Sequence, residues 1–247
     1  MQFLDANKQW TPEFMQYIEQ TVKPSVKLTL SKEPATITDS KVGGTPWLPP
    51  QLAIPQDEEG RDYLFIAQIN WAQMPPLEGY PTSGLTSFFV KQDDTFGLLD
   101  QAFHVWHFPD VIDSEQIDPY QPEDPELYSP VLGGPYKLTG MLEKQLIPYK
   151  NHRADQYQLP TDQDEVAYSK YWDLTDASGS RIGGYPYFSQ DDVREEEMEL
   201  LFQLDMEGDH KSYYVSWGDS GVANFFIRKQ DLLRLDFSQV FYTWDCL

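Results

Sequence analysis

The chain has 247 residues with 40% hydrophobic and 15% aromatic residues, enough to bury a core without staples and too apolar for a disordered tail. Its single cysteine, Cys246, excludes an internal disulfide and a cysteine-based zinc site and fits a reducing, cytoplasmic setting. The net charge of −22, from 18 Lys and Arg against 40 Asp and Glu, argues against nucleic acid and anionic membranes as partners, favours a basic protein partner, and leans towards a monomer.

Residues 1–10 show no basic stretch followed by an apolar one, so no signal peptide is expected, and no segment approaches the ~20 apolar residues of a membrane-spanning helix. Thr11, Pro12 and Glu13 form a helix start. Phe14, Met15, Ile18 and Val22 then share one helical face, and Pro24 closes the helix. Val26, Leu28 and Leu30 alternate with polar residues as in a half-buried strand. Residues 63–70 and 85–90 read as further strands. Residues 109–135, with Pro119, Pro122, Pro125 and Pro130, read as an irregular surface connection, and a modest helix is expected over 138–146.

Comparing the chain with itself gives four matched blocks in the same order. Gly43-Gly44-Thr45-Pro46 answers Gly183-Gly184-Tyr185-Pro186, and Gln68 with Asn70 answers Gln203 with Asp205. Ser83-Gly84 and the Phe88-Phe89 strand answer Ser220-Gly221 and Phe225-Phe226, and His104-Val105-Trp106 answers Gln239-Val240-Phe241. The expectation is an α+β fold of duplicated, mainly antiparallel β units, packed into one compact domain over 1–247 with a few flanking helices. The first repeat spans about 25–108, a connection 109–150, and the second repeat 151–247. Alternation puts Phe65, Ala67 and Ile69 on one strand face, opposite Gln68 and Asn70.

These residues resemble those of the YwqG-like bacterial proteins of unknown function. The likeness runs from about Lys41 onward. Its most specific parts are residues 181–192, 201–205 and 217–227 with Asp236-Phe237-Ser238, together with 43–49 and 67–70 in the first half. The resemblance implies a compact, duplicated α+β fold in the cytoplasm and carries over no catalytic residue.

Motifs of chemistry are few. Gly218-Asp219-Ser220-Gly221 has the look of a protease nucleophile turn, but neither His104 nor His107 has a matching context, and Ser83-Gly84 repeats the turn in the first half. His104 and His107, three apart on a strand, point to opposite faces and form no metal site. The Gly-Gly turns precede Pro46 and Pro186 rather than a phosphate-binding helix. The acidic run Asp191, Asp192, Glu195, Glu196, Glu197 and Glu199 lacks calcium-loop spacing and reads as a solvated face. No cofactor, metal or catalytic residue is assigned.

The repeated polar set is the candidate ligand site: Gln68, Asn70, Gln203 and Asp205 in one cleft between the repeats, with Trp217 and Asp219 lining it. The competing expectation is that each Gln satisfies backbone groups at its own Gly-Gly turn. The functional expectation is a non-enzymatic, acidic interaction protein that engages a basic protein in an inhibitory or immunity-like role. The alternative is a small-molecule-binding protein, or an enzyme of unrecognised type, using that polar cleft.

Overall fold

At the start of the chain, Thr11 Oγ1 accepts from the Phe14 N–H at 3.2 Å and Pro12 takes the first helical position, so α1 forms over Pro12–Glu19. Phe14 and Ile18 are buried, whereas Met15 faces solvent and Val22 lies beyond the helix end. Pro24 falls inside the next element, β1 (Lys23–Ser31), whose alternating burial follows Val26 and Leu28 as expected. A computed structural model of the protein describes residues 1–111, 120 and 129–247. Most of the proline-rich stretch expected as a surface connection, including Pro119, Pro122 and Pro125, lies outside them.

The remaining strands are β2 (Lys41–Val42), β3 (Leu64–Asn70), β4 (Leu85–Val90), β5 (Phe103–Phe108), β6 (Tyr136–Gln145), β7 (Arg181–Gly183), β8 (Glu199–Asp205), β9 (Glu207–Gly208), β10 (Tyr213–Val215), β11 (Val222–Ile227) and β12 (Phe241–Asp245). Two further α-helices, α2 (Glu165–Leu174) and α3 (Lys229–Leu233), lie among the described residues, with short 3-10 turns between elements. Ten strands form one sheet in the order β12-β11-β8-β7-β1-β6-β2-β3-β4-β5, with every pairing antiparallel, and β9 and β10 form a separate ribbon. The protein is therefore mostly antiparallel β with three short helices among the described residues, so the antiparallel strands and few helices hold while β outweighs the α+β class expected.

The sheet curls into a nearly closed, barrel-like wall. Phe88 of β4 lies 4.8 Å from Phe202 of β8 and 4.9 Å from Phe225 of β11, ring centroid to centroid, although many strands separate them within the sheet. Where the two edges approach, Phe103 of β5 meets Tyr242 of β12 at 5.3 Å, and the Tyr242 hydroxyl donates to Phe96 O. Aromatic packing fills the interior, and the apolar area it removes from water is the main source of stability. A second cluster, Phe14, Ile18, Ile147, Tyr171 and Tyr185, joins α1 and α2 to the segments that follow β6 and β7.

The helix expected over 138–146 is instead the long central strand β6, paired with β1 from Lys23↔Gln145 to Ser31↔Lys137. Leu142 and Glu143 favour a helix locally, but pairing across the sheet outweighs that preference. Gly140 also allows a close crossing, since a Cβ there would sit 2.6 Å from Val26 Cγ1 and 2.9 Å from Met74 Sδ.

Simple alternation also fails at Phe65. A β-bulge in β3 falls between Phe65 and Ala67, so Leu64, Ile66, Ala67 and Ile69 all enter the central core. Phe65 turns to the opposite face and packs with Leu48 and Phe89. The β8–β11 pair has its own irregularity: Phe225 opposes Phe202 and Phe226 opposes Leu200, leaving Leu201 as the extra residue.

Candidate functional site

Each Gly-Gly turn needs its glycines. Gly43 and Gly44 have φ of +69° and +72°, and Gly183 and Gly184 have +69° and +73°, values that disfavour any side chain. The turn carries the chain back over the sheet's outer face, where a carboxamide waits. Gln68 Oε1 accepts from the Trp47 N–H at 2.8 Å, while Nε2 donates to Ile37 O at 2.8 Å and Asp39 O at 2.7 Å. Gln203 repeats this arrangement: Oε1 accepts from the Tyr187 N–H at 2.8 Å, and Nε2 donates to Ala177 O at 3.0 Å and Gly179 O at 2.7 Å. Both side chains are fully buried. Both donors of each are consumed, so each Gln fastens its own loop.

The other members of the set behave alike. Asn70 Oδ1 accepts from the Ala72 N–H at 3.2 Å, and Nδ2 donates to Thr38 O at 2.9 Å. Asp205 accepts from the N–H groups of Gly179 and Met206 at 2.6 and 2.7 Å. Burial raises the Asp205 pKa more than these bonds lower it. Trp217 lies in the core against Phe96 and Trp244, and Asp219 is exposed.

The structure does not gather these six residues. Strands β7, β1, β6 and β2 intervene between β8 and β3. Gln68 and Gln203 both project from the face opposite the central core, so on a curled wall they diverge rather than converge.

The histidines of β5 point to opposite faces. His104 stacks edge-on against Tyr63 at 4.6 Å, and His107 lies flat on Phe237 at 4.7 Å. His107 Nδ1 is 3.0 Å from Thr86 Oγ1, which accepts from Trp71 Nε1 at 2.8 Å. Burial lowers the pKa of both histidines and favours their neutral forms. Among the described residues, no group of three or more His, Cys, Asp or Glu is arranged to hold a metal.

Charge is distributed unevenly between interior and surface. Many cations are tied to neighbouring carboxylates, as in Lys32–Asp209, Arg61–Asp57, Lys91–Asp100, Arg228–Glu196 and Arg234–Asp231. Lys41 and Arg181 are buried. The surplus carboxylates of a chain with net charge −22 are thereby left to dominate the surface. Sequence patterning reveals the surplus but not which cations are spoken for. In the acidic run at 191–199, Asp191, Glu195, Glu196 and Glu197 are exposed as expected, whereas the Asp192 side chain is only 3% exposed and is held by Arg194.

Fold and site together define a mostly β protein with a nearly closed ten-stranded sheet, whose two Gly-Gly turns are each fastened by a buried carboxamide. The chain belongs to the family described as Domain of unknown function (DUF1963), whose model matches residues 40–246. No curated protein matches this sequence. No helix among the described residues is long and apolar enough to cross a membrane.

Proposed function

We propose that this protein is a non-catalytic binding protein that presents its acidic surface to a basic protein partner, in an inhibitory or immunity-like role. One observation carries this reading: the net charge of −22 is left at the surface because many cations are buried or already paired. Such a field steers cationic partners and raises their association rate. The test is capture of the tagged protein with its partners from its own lysate, at about 0.05 M and about 0.3 M salt, where screening differs strongly. The reading expects one stoichiometric basic partner, retained at low salt and lost at high salt. Failure to recover any such partner at low salt contradicts it.

Three finer assignments belong with this reading. We place the chain among the YwqG-like members of its family, on the Gly-Tyr-Pro segment at 184–186 and the Gln203-x-Asp205 strand. The single cysteine supports a cytoplasmic location, and the charge supports a monomer.

A duplicated origin is supported by bonds that recur at matched positions. Leu28 N donates to Ser180 O and Leu138 N to Ser40 O, each at 2.9 Å. The Ser40 and Ser180 hydroxyls accept from the N–H groups of Asn70 and Asp205, at 2.9 and 3.2 Å. In sheet order, β2-β3-β4-β5 mirrors β7-β8-β11-β12 about the central β1–β6 pair. In this reading the leading strands are exchanged: β1 pairs with β7 of the second unit, and β6 with β2 of the first.

A further inference from the structure

On the side of the molecule where α1 runs into β1, a cleft of about 150 Å³ opens between residues 20–23, the loop at 151–157, the turn at 184–186 and residues Arg194 and Glu197. It falls below the ~300–1,000 Å³ of drug-sized pockets, so it suits a compact group. Against the acidic whole, this cleft is cationic. Lys23, Arg153 and Arg194 line it together with His152, and Glu197 is the one carboxylate in its wall.

The cations differ in availability. Arg194 is spent on structure: its side chain is 3% exposed, it grips both oxygens of Asp192 at 2.9 and 2.6 Å, and it donates to Met198 O at 3.1 Å. Asp192 in turn accepts from His152 Nδ1 at 3.1 Å. A carboxylate only accepts, so this bond commits the Nδ1 proton to Asp192 and holds the ring in place. Burial tends to raise the Asp192 pKa, but Arg194 and His152 outweigh it and keep the carboxyl ionised. The result is a braced Arg194–Asp192–His152 row, of which Arg194 and His152 line the cleft.

Lys23 and Arg153 line the same cleft. Their side chains are 31% and 37% exposed, and both reach one oxygen of Glu197, at 3.6 and 3.0 Å. Glu197 is itself 54% exposed, on a stretch without regular secondary structure. A half-exposed bridge of this kind is weak. Its carboxylate sits where two cations converge, as an incoming oxyanion would.

We propose that this cleft binds a compact oxyanion, the phosphoryl or carboxylate end of a small molecule, between Lys23 and Arg153, with Glu197 as the internal stand-in that the ligand displaces. The several N–H donors of the two cations match the acceptor oxygens of such a group, and charge-assisted bonds to them are the strong kind. The site stands apart from the acidic surface and does not depend on the partner reading. A chain carrying −22 repels anions in general, so saturable anion binding requires a local site of this kind.

The test is calorimetric titration of the full chain with inorganic phosphate, and separately with succinate, at low ionic strength. The proposal expects one saturable site. Arg153→Ala should weaken it about tenfold or more, the scale of a lost bond to a charged group, while Glu197→Gln should tighten it severalfold by removing the competing carboxylate. Thermal melts confirm that both variants fold. Tighter phosphate binding identifies a phosphoryl ligand, and tighter succinate binding a carboxylate one. The proposal is overturned if neither anion binds saturably at millimolar concentration to wild type or to Glu197→Gln, or if Arg153→Ala binds as well as wild type.

Discussion

At the residue scale, the most consequential side chains are Gln68 and Gln203. Each satisfies one backbone N–H and two backbone carbonyls in a fully buried setting. Gln68→Leu and Gln203→Leu each leave three buried groups without partners, so each should cost about 3 kcal/mol or more, read from urea unfolding. A loss below about 1 kcal/mol would mean that water replaces the carboxamide. Lys41 gives a pH signature. Burial pushes its pKa from 10.5 down to about 8, with Asp39 opposing the shift. Between those two values the unfolded chain binds more protons than the folded one, so stability should rise with pH from about 8 to about 10.5. Lys41→Met should remove that slope; a slope unchanged in the variant would assign it to other groups. The pairing of Gln68 with Gln203 is legible in the sequence because both recur in the same Gln-x-Asn/Asp frame. Their partners are not legible, because Ile37 and Asp39, like Ala177 and Gly179, offer only backbone carbonyls that no side-chain pattern marks.

At the element scale, the fold rests on strands whose neighbours are distant in sequence. The alternation of Val26 and Leu28 discloses β1, and the apolar run at 85–90 discloses β4. β6 is hidden, because Met141, Leu142, Glu143 and Lys144 are good helix formers and its strand character comes from nine paired positions along β1. The bulge that turns Phe65 outward is equally unmarked, since every residue from Leu64 to Ile69 is buried and the usual in-out contrast is missing. The Gly-Gly turns, by contrast, can be read directly. A Cβ on Gly184 would lie 1.9 Å from Gln145 Oε1, at a φ of +73°. That oxygen accepts from the Tyr185 N–H at 2.9 Å. Gly184→Ala should therefore destabilise the protein by about 2–4 kcal/mol, with a matching drop in melting temperature. A neutral effect would show that the turn relaxes.

At the scale of the whole molecule, charge is the property most plainly written in the composition and the one on which the functional proposal depends. The sequence shows 40 acids against 18 bases, but only the fold shows the pairing of Arg61, Lys91 and Arg228 with neighbouring carboxylates and the gathering of Lys23, His152, Arg153 and Arg194 around one cleft. Lys23 lies more than a hundred residues before the other three, with no repeat to link them. The measurement that bears most directly on the acidic-surface reading is the association rate of the captured partner as a function of ionic strength. Steering by long-range charge predicts a fall of about tenfold or more between about 0.05 M and about 0.3 M salt, with the dissociation rate nearly constant. An association rate that stays flat across that range would contradict the reading.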